Sequence, residues 1–379
     1  MSLLPLDGIT VVSMEQAVAA PFATRQLADL GARVIKIERD TGDFARTYDN
    51  KVHGDSSFFV WLNRTKESVV LDVKSKEGND AIKKLISQAD VFVSNLKPGA
   101  IERLGLGAEA LHKDNPGLIH VSISGFGPGG SYSKKKAYDL IIQCESGMLS
   151  VTGTEEHPSK VGPSIADIAS GMYAFSSILA SIIQRSKSGK GAVHEISMLE
   201  ALGEWMSQPH LFANYGGQLA KRSGASHNSI VPYGPFPTMD GQVFFGLQNE
   251  REWANFCSVV LDEAKLATNP KFTPNSARLN NRDELVSLIS SKTKTLTSDE
   301  LIERLERCNI ATARLRNMYE YDAHPQLKER NRWREVETST GERARALLPS
   351  FLPVGIEPKW FKVPALGEHT NQVFKEFNL

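Results

Sequence analysis

One acidic residue, Asp167, stands among small side chains directly before an apolar stretch of the chain. Gly162, Ser164 and Ala166 precede it, and the apolar positions of residues 168–182 recur at threes and fours, which predicts a helix. The carboxylate has two interpretations. It caps the helix by accepting backbone N–H groups, or it is a nucleophile, because small neighbours leave room for a substrate and helix-start N–H groups hold an anion. The local pattern favours the cap, and the two roles are compatible.

The signatures of common cofactor, metal and hydrolase sites are absent from the sequence. His194 and Glu195 lack the second histidine of a zinc-protease motif, and Ser164 lacks the second glycine of a nucleophile elbow. Residues 125–130 fit the dinucleotide pattern G-x-G-x-x-G, but Pro128 lies inside it and a polar segment follows, so a flexible glycine turn is the better interpretation. By exclusion, the sequence favours metal-free chemistry on an acidic side chain.

Three lysines at residues 134–136 follow that glycine turn. Most lysine runs are solvated surface, whereas a glycine turn beside lysines also forms a pocket for anions such as phosphate. The residues alone leave both interpretations open.

Strands and helices alternate through the first half of the chain. We predict strands at residues 9–14, 34–38, 68–72, 91–94 and 118–124, with helices at 22–30 and 76–88. Such alternation predicts an α/β fold with a parallel sheet and helices on its faces. Loops at the carboxyl ends of the strands should line the site, and they begin near Glu15, Arg39, Asp72, Asn95 and Gly125.

The second half begins with a change in composition. Residues 216–229 are polar and rich in glycine and serine, which indicates a domain boundary. Beyond them we predict a strand pair at 233–245, helices at 250–266, 282–290 and 298–308, a strand at 311–317, a hairpin at 330–352 and a short C-terminal helix. A single helix is also predicted at 199–215, just before the boundary.

The chain has 379 residues, enough for about two domains. Lysine plus arginine equals aspartate plus glutamate at 44 each, and this zero net charge argues against a general binder of nucleic acids or membrane surfaces. The three cysteines are far apart in sequence, which indicates a reducing compartment. The N-terminus has no signal-peptide pattern, and no run approaches about 18 apolar residues. We therefore expect a cytoplasmic protein.

An ordered series of short motifs resembles the class III CoA-transferases, the family of formyl-CoA transferase and carnitine CoA-transferase. Each motif is weak alone, but the series runs nearly from end to end. It comprises residues 31–39, Asn63 with Lys66, and residues 71–74, 95–99, 103–105, 124–127, 137–139 and 366–370.

This resemblance implies an α/β fold with a large Rossmann-like CoA-binding domain, residues 1–215 completed by 330–379, and a smaller α+β domain at 216–329. It also implies a homodimer of interlocked rings, no permanently bound cofactor, and coenzyme A or acyl-CoA as substrate. Asp167 matches the family's catalytic aspartate. Residues that match CoA contacts are Ala19, Arg39, Leu71, Lys74, Asn95, Leu96, Arg103, Lys136 and Tyr138. Simple packing would also explain the two leucines, whereas the cations suit the CoA phosphates.

The resemblance leaves two other activities open. Acyl-CoA racemases of the same superfamily carry a histidine where this chain has Tyr138, and tyrosine is a poor base at neutral pH because its reference pKa is about 10. An idle CoA-binding protein is the other alternative, and the intact Asp167 counts against it.

The acids are predicted less directly. The sequence around Asp167 and residues 200–206 resembles family members that act on C4–C5 dicarboxylates such as itaconate, mesaconate and citramalate, with succinyl-CoA as donor. Arg46 or Arg222 would pair with the second carboxylate, although either is also typical of a solvated surface. The backbone N–H near Gly246, in a stretch that replaces the polyglycine lid of some members, would hold an oxyanion.

Overall fold

The computed structural model of the chain describes residues 4–379, which form two compact units. Unit 1 takes the chain as far as Met148 and then Val161–His210 and Lys328–Leu379, and unit 2 takes Leu149–Lys160 and Leu211–Leu327. Our predicted domain boundaries fall after residues 215 and 329, a few residues from these divisions. The short segment Leu149–Lys160 groups with unit 2, although our prediction places it in the large domain.

Unit 1 is built on a six-stranded parallel sheet with strand order β3-β2-β1-β4-β5-β6. The strands are β1 (Thr10–Met14), β2 (Arg33–Glu38), β3 (Lys66–Val70), β4 (Val91–Ser94), β5 (Ile119–Ser124) and β6 (Ala192–Ser197). The helices up to β5 are α1 (Ala19–Asp29), α2 (Ser57–Asn63), α3 (Lys76–Ser87), α4 (Ala100–Arg103) and α5 (Ala108–Asp114). Those that follow are α6 (Asp139–Glu145), α8 (Ile165–Ser188) and α9 (Met198–Trp205), and two helices, α7 (Met148–Val151) and α10 (Ser207–Gly216), begin in unit 1 and continue into unit 2. The predicted α/β class is confirmed.

Both faces of this sheet are covered, because successive side chains of a strand point to opposite sides. In the central strand β1, Val11 belongs to a core cluster shared with α1 and α8, and Val12 belongs to a second cluster shared with α3. The strands therefore read as nearly continuous apolar runs, as expected for a parallel sheet with two covered faces.

The edge strand β3 is closed by the C-terminal part of the chain. The N–H of Thr65 donates to the carbonyl of Lys362 at 3.1 Å, and the N–H of His369 donates to the carbonyl of Ser68 at 2.9 Å. The N–H of Val70 donates to Oγ1 of Thr370 at 3.0 Å. A hairpin of β10 (Trp333–Glu337) and β11 (Arg343–Leu347) and the last helix, α17 (Thr370–Phe377), complete the unit.

Helix α8 is the longest helix, with 24 residues. Its length and composition alone would allow it to cross a membrane, although charged, polar and small residues interrupt it and it contains no unbroken run of about 18 apolar residues. Ala166, Ala174, Phe175 and Ile178 of this helix lie in the core cluster on the α1 face of the sheet. Part of the hydropathy of α8 therefore comes from side chains that are buried in the core of unit 1.

Unit 2 contains a three-stranded antiparallel sheet of β7 (Tyr233–Pro237), β8 (Gln242–Gly246) and β9 (Ala311–Arg314), in the order β7-β8-β9. Its helices are α11 (Glu250–Asn255), α12 (Asn275–Asn280), α13 (Arg282–Thr293), α14 (Ser298–Arg307), α15 (Met318–Asp322) and, continuing into unit 1, α16 (Pro325–Glu329). Trp253, Phe256 and Phe245 form the centre of its core.

Several predicted elements differ from the structure in their limits. Helix α1 begins at Ala19 rather than at residue 22. The single helix predicted at 199–215 is two helices, α9 and α10, because Pro209 has no N–H with which to continue the ladder from Trp205. The predicted helix at 250–266 is likewise interrupted after Asn255 and after Val260. The short helices that were not predicted are α2, α4, α5, α6, α7, α12, α15 and α16.

Candidate active site

Asp167 lies in the first turn of α8 but does not cap the helix. The helix begins at Ile165, its N-cap is Ser164, and Ser164 makes no side-chain capping bond. The N–H of Ala166 instead donates to Oδ1 of Asp139 at 2.9 Å. The capping interpretation of Asp167 is therefore wrong, and Asp139 of α6 accepts a hydrogen bond from the start of the helix instead. The Asp167 carboxylate is left available for chemistry.

Burial raises the pKa of Asp167 to about 7, and the negative charge of Asp139 adds to the effect. Tyr48 interacts electrostatically with Asp167 and with a second phenol, Tyr138. Burial raises the pKa of Tyr48 to about 12, and the negative charges of Asp43 and Asp167, and then Tyr138, contribute. A carboxylate with a raised pKa is more basic and hence a stronger nucleophile once ionised. Among residues 4–379, no three His, Cys, Asp or Glu side chains come together as a metal site would require.

The helix that carries Asp167 lies close to the start of α1, where the predicted CoA contact Ala19 is buried. Gly171 is one turn after Asp167 on the same face of α8. A Cβ built on Gly171 would lie 2.6 Å from the carbonyl oxygen of Ala19 and 3.0 Å from the ring of Phe22. Because Gly171 has no side chain, α8 and α1 can pack this closely together.

A cavity of about 430 Å³ opens at the carboxyl ends of β1, β2, β3 and β4. The strand order reverses between β1 and β4, and α/β sheets bind ligands at such a switch point. Five of the nine residues predicted to contact CoA line this one cavity: Arg39, Leu71, Lys74, Leu96 and Arg103.

Three cations of this cavity, Arg39, Lys74 and Arg103, are exposed, and none forms an ion pair with any residue between 4 and 379. Gly99, whose φ is 74°, leaves space for the guanidinium group of Arg103, since a Cβ at this position would lie 2.8 Å from Nη1 of Arg103. Leu71 also belongs to the core, whereas Leu96 is half-buried, so the packing and the ligand-contact interpretations apply together to these leucines.

The other predicted CoA contacts lie outside that cavity. Asn95 is paired with the backbone of Gln16: the N–H of Gln16 donates to Oδ1 and the Nδ2 of Asn95 donates to the Gln16 carbonyl, both at 2.8 Å. Lys136 and Tyr138 are exposed in the loop that follows β5, and Tyr138 is the N-cap residue of α6. Their contact with CoA remains a prediction.

A second cavity, of about 680 Å³, shares Leu96 and Arg103 with the first. It lies at the carboxyl ends of β4 and β5 and is also lined by Lys97 and Lys134. The glycine turn at Gly127 forms part of its wall. Glu102 and Glu195 also line this cavity, so both interpretations of the lysine run stay open.

A buried network of charges, which our sequence reasoning missed, lies beneath the first cavity. Lys66 Nζ pairs with Oε1 of Glu15 at 2.6 Å, and Lys36 Nζ pairs with Oδ2 of Asp43 at 2.7 Å. Burial opposes ionisation of Glu15, but Lys66 and Lys36 outweigh it and lower the pKa. Burial likewise opposes charging Lys36, yet Asp43 and Glu15 raise its pKa. The signal in the sequence was a lysine inside a predicted buried strand, Lys36.

This network fixes the turn between β1 and α1. Oδ1 of Asp43 accepts the N–H of Ala17 at 3.1 Å, and Ala17 has the left-handed φ of 60°, which is strained for a residue with a side chain. With Asn95 holding Gln16, two polar side chains therefore determine the backbone that leads into Ala19.

The three residues predicted to bind the acid have identifiable partners within their own units. Arg46 pairs with the buried Glu38 at 2.7 Å and stacks on Phe59. Arg222 donates to the carbonyls of residues 154 and 155, both at 2.7 Å. Gly246 lies beneath Tyr233, whose ring would be 2.7 Å from an added Cβ. Their roles in substrate binding remain predictions.

Comparison with known proteins shows the family to which this chain belongs. The sequence pattern of CoA-transferase family III matches residues 6–370. The chain belongs to CoA-transferase family III. This CoA-transferase is 34% identical over 386 residues to the human protein named succinyl-CoA:glutarate CoA-transferase, covering 99% of this chain and 86% of the relative.

Two further comparisons support the family assignment. The protein of Chloroflexus aurantiacus named succinyl-CoA–D-citramalate CoA-transferase is 30% identical, covering 98% of this CoA-transferase and 94% of the relative. The crystal structure of a CaiB/BaiF family protein from Brucella suis superposes with a TM-score of 0.87 at 30% identity, covering 99% and 100% of the two chains. The fold predicted from the resemblance is thus confirmed, and the alternative of an idle CoA-binding protein is set aside.

Proposed function

We propose that this CoA-transferase moves CoA from succinyl-CoA to a C4–C5 dicarboxylate through a covalent intermediate on Asp167. The observation that carries the proposal is the position of Asp167, which lies in the first turn of α8 without capping the helix and has its pKa raised to about 7. A cavity lined by three unpaired cations in the same unit supports CoA as the carrier, because its phosphates need cations and hydrogen-bond donors. Coenzyme A is then a substrate, and no resident cofactor takes part.

The proposed reaction begins when an ionised oxygen of Asp167 attacks the thioester carbonyl and CoA leaves as its thiolate. The product is a mixed anhydride between Asp167 and the first acid. The thiolate attacks the aspartyl carbonyl of that anhydride, which releases the first acid as its carboxylate and leaves an aspartyl-CoA thioester. Both intermediates keep the acyl bond activated, so no ATP is needed.

The second half reverses these steps with a new acid. Its carboxylate attacks the aspartyl thioester and expels the CoA thiolate, and the thiolate then attacks the incoming acid's carbonyl in the new anhydride. The new acyl-CoA forms and Asp167 returns as a free carboxylate. Water must be kept out, because it would hydrolyse either intermediate, and the half-buried setting of Asp167 beside Ala166 and Ile168 favours this.

The choice of acid rests on the relatives. Their names specify glutarate, D-citramalate and mesaconate, each with succinyl-CoA. We extend that class to this enzyme, with itaconate as a further member. Both predicted arginines already have partners, Arg46 in Glu38 and Arg222 in the carbonyls of residues 154 and 155, so binding of the distal carboxylate by either one stays a prediction. A panel of these acids with succinyl-CoA, read by mass spectrometry of the acyl-CoA products, ranks them directly.

We also propose a homodimer, in the cytoplasm, that binds neither nucleic acid nor membranes. Apolar side chains that remain exposed on unit 1, such as Ile183, Trp205 and Phe361, are consistent with a partner subunit. The zero net charge agrees with a soluble metabolic enzyme. Sedimentation velocity tests the oligomeric state, and a monomer at micromolar concentration would contradict it.

The decisive test of the chemistry is the variant Asp167→Asn. We expect wild-type enzyme incubated with succinyl-CoA and hydroxylamine to acquire a hydroxamate on the peptide that contains Asp167, and the variant to acquire none. CoA transfer should fall by about 10⁴-fold or more in the variant, because no other carboxylate replaces the nucleophile. Full activity in Asp167→Asn would rule the assignment out.

A further inference from the structure

The helix that carries Asp167 is held by a second helix, α6. Oδ1 of Asp139 accepts the N–H of Ala166 at 2.9 Å, and Oδ2 accepts the Nε2 group of Gln143 at 2.7 Å. Gln143 is fully buried, and its Oε1 accepts the N–H of Val161 at 2.9 Å. Two side chains one turn apart on α6 therefore fasten both ends of residues 161–166.

We propose that Asp139 is a positioning residue, which with Gln143 fixes the first turn of α8 and so determines where the Asp167 carboxylate lies. This inference rests on the proposed function of Asp167. The hydrogen bond from the N–H of Ala166 to Asp139 acts directly beside Asp167, because Ala166 is the preceding residue. The N-cap residue Ser164 makes no side-chain capping bond that would hold this turn instead. A shift of about 1 Å in a nucleophile is enough to lower a rate by roughly 100-fold.

The same contact brings two carboxylates close together. After burial, the charge of Asp139 is what raises the pKa of Asp167. The elements that pack on α8 carry other titratable side chains, namely Arg25, Asp29, His120, Cys144, Glu145, His194, Glu195, Glu200 and Glu204. Tyr48 interacts electrostatically with Asp167, and Tyr138 is the N-cap residue of α6. Asp139 thus has two effects on the nucleophile, one through the backbone of Ala166 and one through its charge.

Two substitutions separate these effects. Asp139→Asn keeps an oxygen for the N–H of Ala166 but removes the charge and the bond to Gln143. We expect the acid limb of the pH profile of kcat/KM to move to lower pH by roughly one unit, with kcat in the alkaline plateau nearly retained. Asp139→Ala removes the oxygen as well, and we expect kcat to fall roughly 10- to 100-fold at every pH with KM for succinyl-CoA unchanged.

Two matched variants complete the set. Gln143→Met removes the anchor of Val161 and leaves the Asp139 charge, so kcat should fall while the acid limb stays in place. Glu145→Gln removes a charge from the exposed side of the same helix and should change neither quantity. An unmoved acid limb in Asp139→Asn, or full kcat in Asp139→Ala, would overturn the inference.

A readout without turnover distinguishes this inference from the proposed function. In a double-mutant cycle followed by urea unfolding, the stability gained from Asp167→Asn at alkaline pH should be smaller when Asp139→Asn is already present. Equal gains in both backgrounds would refute the electrostatic part even if transfer chemistry is intact. Absence of the hydroxamate in wild-type enzyme would instead refute the proposed nucleophile.

Discussion

Gly171 faces the carbonyl oxygen of Ala19 so closely that an added Cβ would lie 2.6 Å from that oxygen. Gly171→Ala must therefore move α8 away from α1, although alanine is the better helix former. We expect a loss of about 1–3 kcal/mol in the free energy of unfolding and a drop in acyl transfer, because Asp167 is one turn away. Urea unfolding and steady-state kinetics measure both.

Gly203 in α9 is the matched control, since an added Cβ there has no neighbour within 4 Å. Gly203→Ala should stabilise the protein by about 0.5–1 kcal/mol with unchanged activity. A Gly171→Ala variant that is as stable and as active as Gly203→Ala would show that the helices are not held at this distance.

The pH dependence of stability follows from the raised pKa of Asp167, about 7 in the folded protein. The unfolded chain releases this proton near pH 4, so between pH 4 and 7 the folded state binds more protons than the unfolded state. Stability from this group is therefore present below pH 4 and is lost as the pH rises to 7. Asp167→Asn avoids the loss, and we expect it to be more stable than wild type at pH 8 by at most about 4 kcal/mol.

Unfolding by urea at pH 5 and at pH 8 checks this sign. The advantage of Asp167→Asn should be larger at pH 8, and the exposed Asp80→Asn should show no such dependence. An advantage that is larger at pH 5 would mean that the pKa of Asp167 is lowered instead.

The exposed cations of the first cavity predict which substitution weakens binding of succinyl-CoA. Arg103 has no ion-pair partner among the described residues and lines both cavities. Arg103→Ala should raise KM for succinyl-CoA roughly 10- to 100-fold, the usual loss for a hydrogen bond to a charged group, and leave KM for the acid unchanged. The exposed Arg330→Ala serves as control, and an equal effect of both variants would exclude a specific phosphate contact.

The buried pair of Lys66 and Glu15 predicts a large stability effect from a single substitution. Lys66→Met leaves the fully buried Glu15 without its nearest cation, and we expect a loss of about 3–5 kcal/mol. Adding Glu15→Gln should recover part of that loss, whereas the exposed Lys190→Met should cost nothing measurable by urea unfolding. If the double variant is no more stable than Lys66→Met, the two charges are not coupled.

The sequence predicted the strands of unit 1 well because each is a short apolar run between turn residues. Residues 91–94 were predicted as a strand with the limits that the structure shows. A helix over 168–182 was also predicted, but α8 begins at Ile165, so Asp167 lies inside the first turn and not at the cap. The side chain that accepts the N–H of Ala166 is Asp139, which lies 28 residues before Asp167 in the sequence. Contacts between distant residues have no local pattern that would indicate them.

The site shows the same division. The resemblance indicated five residues that line one cavity, although they come from the segments that follow three different strands, β2, β3 and β4. It did not indicate the network of Glu15, Lys36, Asp43 and Lys66, since a charge in a strand shows that a partner must exist but not which one. The break between α9 and α10 could have been read from Pro209.

The edge strand β3 obtains its outer hydrogen bonds from residues near the C-terminus, with Ser68 and His369 separated by 301 positions. A ribosome therefore synthesises residues 71–361 before residues 362–370 can cover that edge. Throughout synthesis of unit 2 the nascent sheet carries a bare strand, the kind of surface on which chains aggregate edge to edge. This edge of β3 is thus protected only after residues 362–370 have left the exit tunnel.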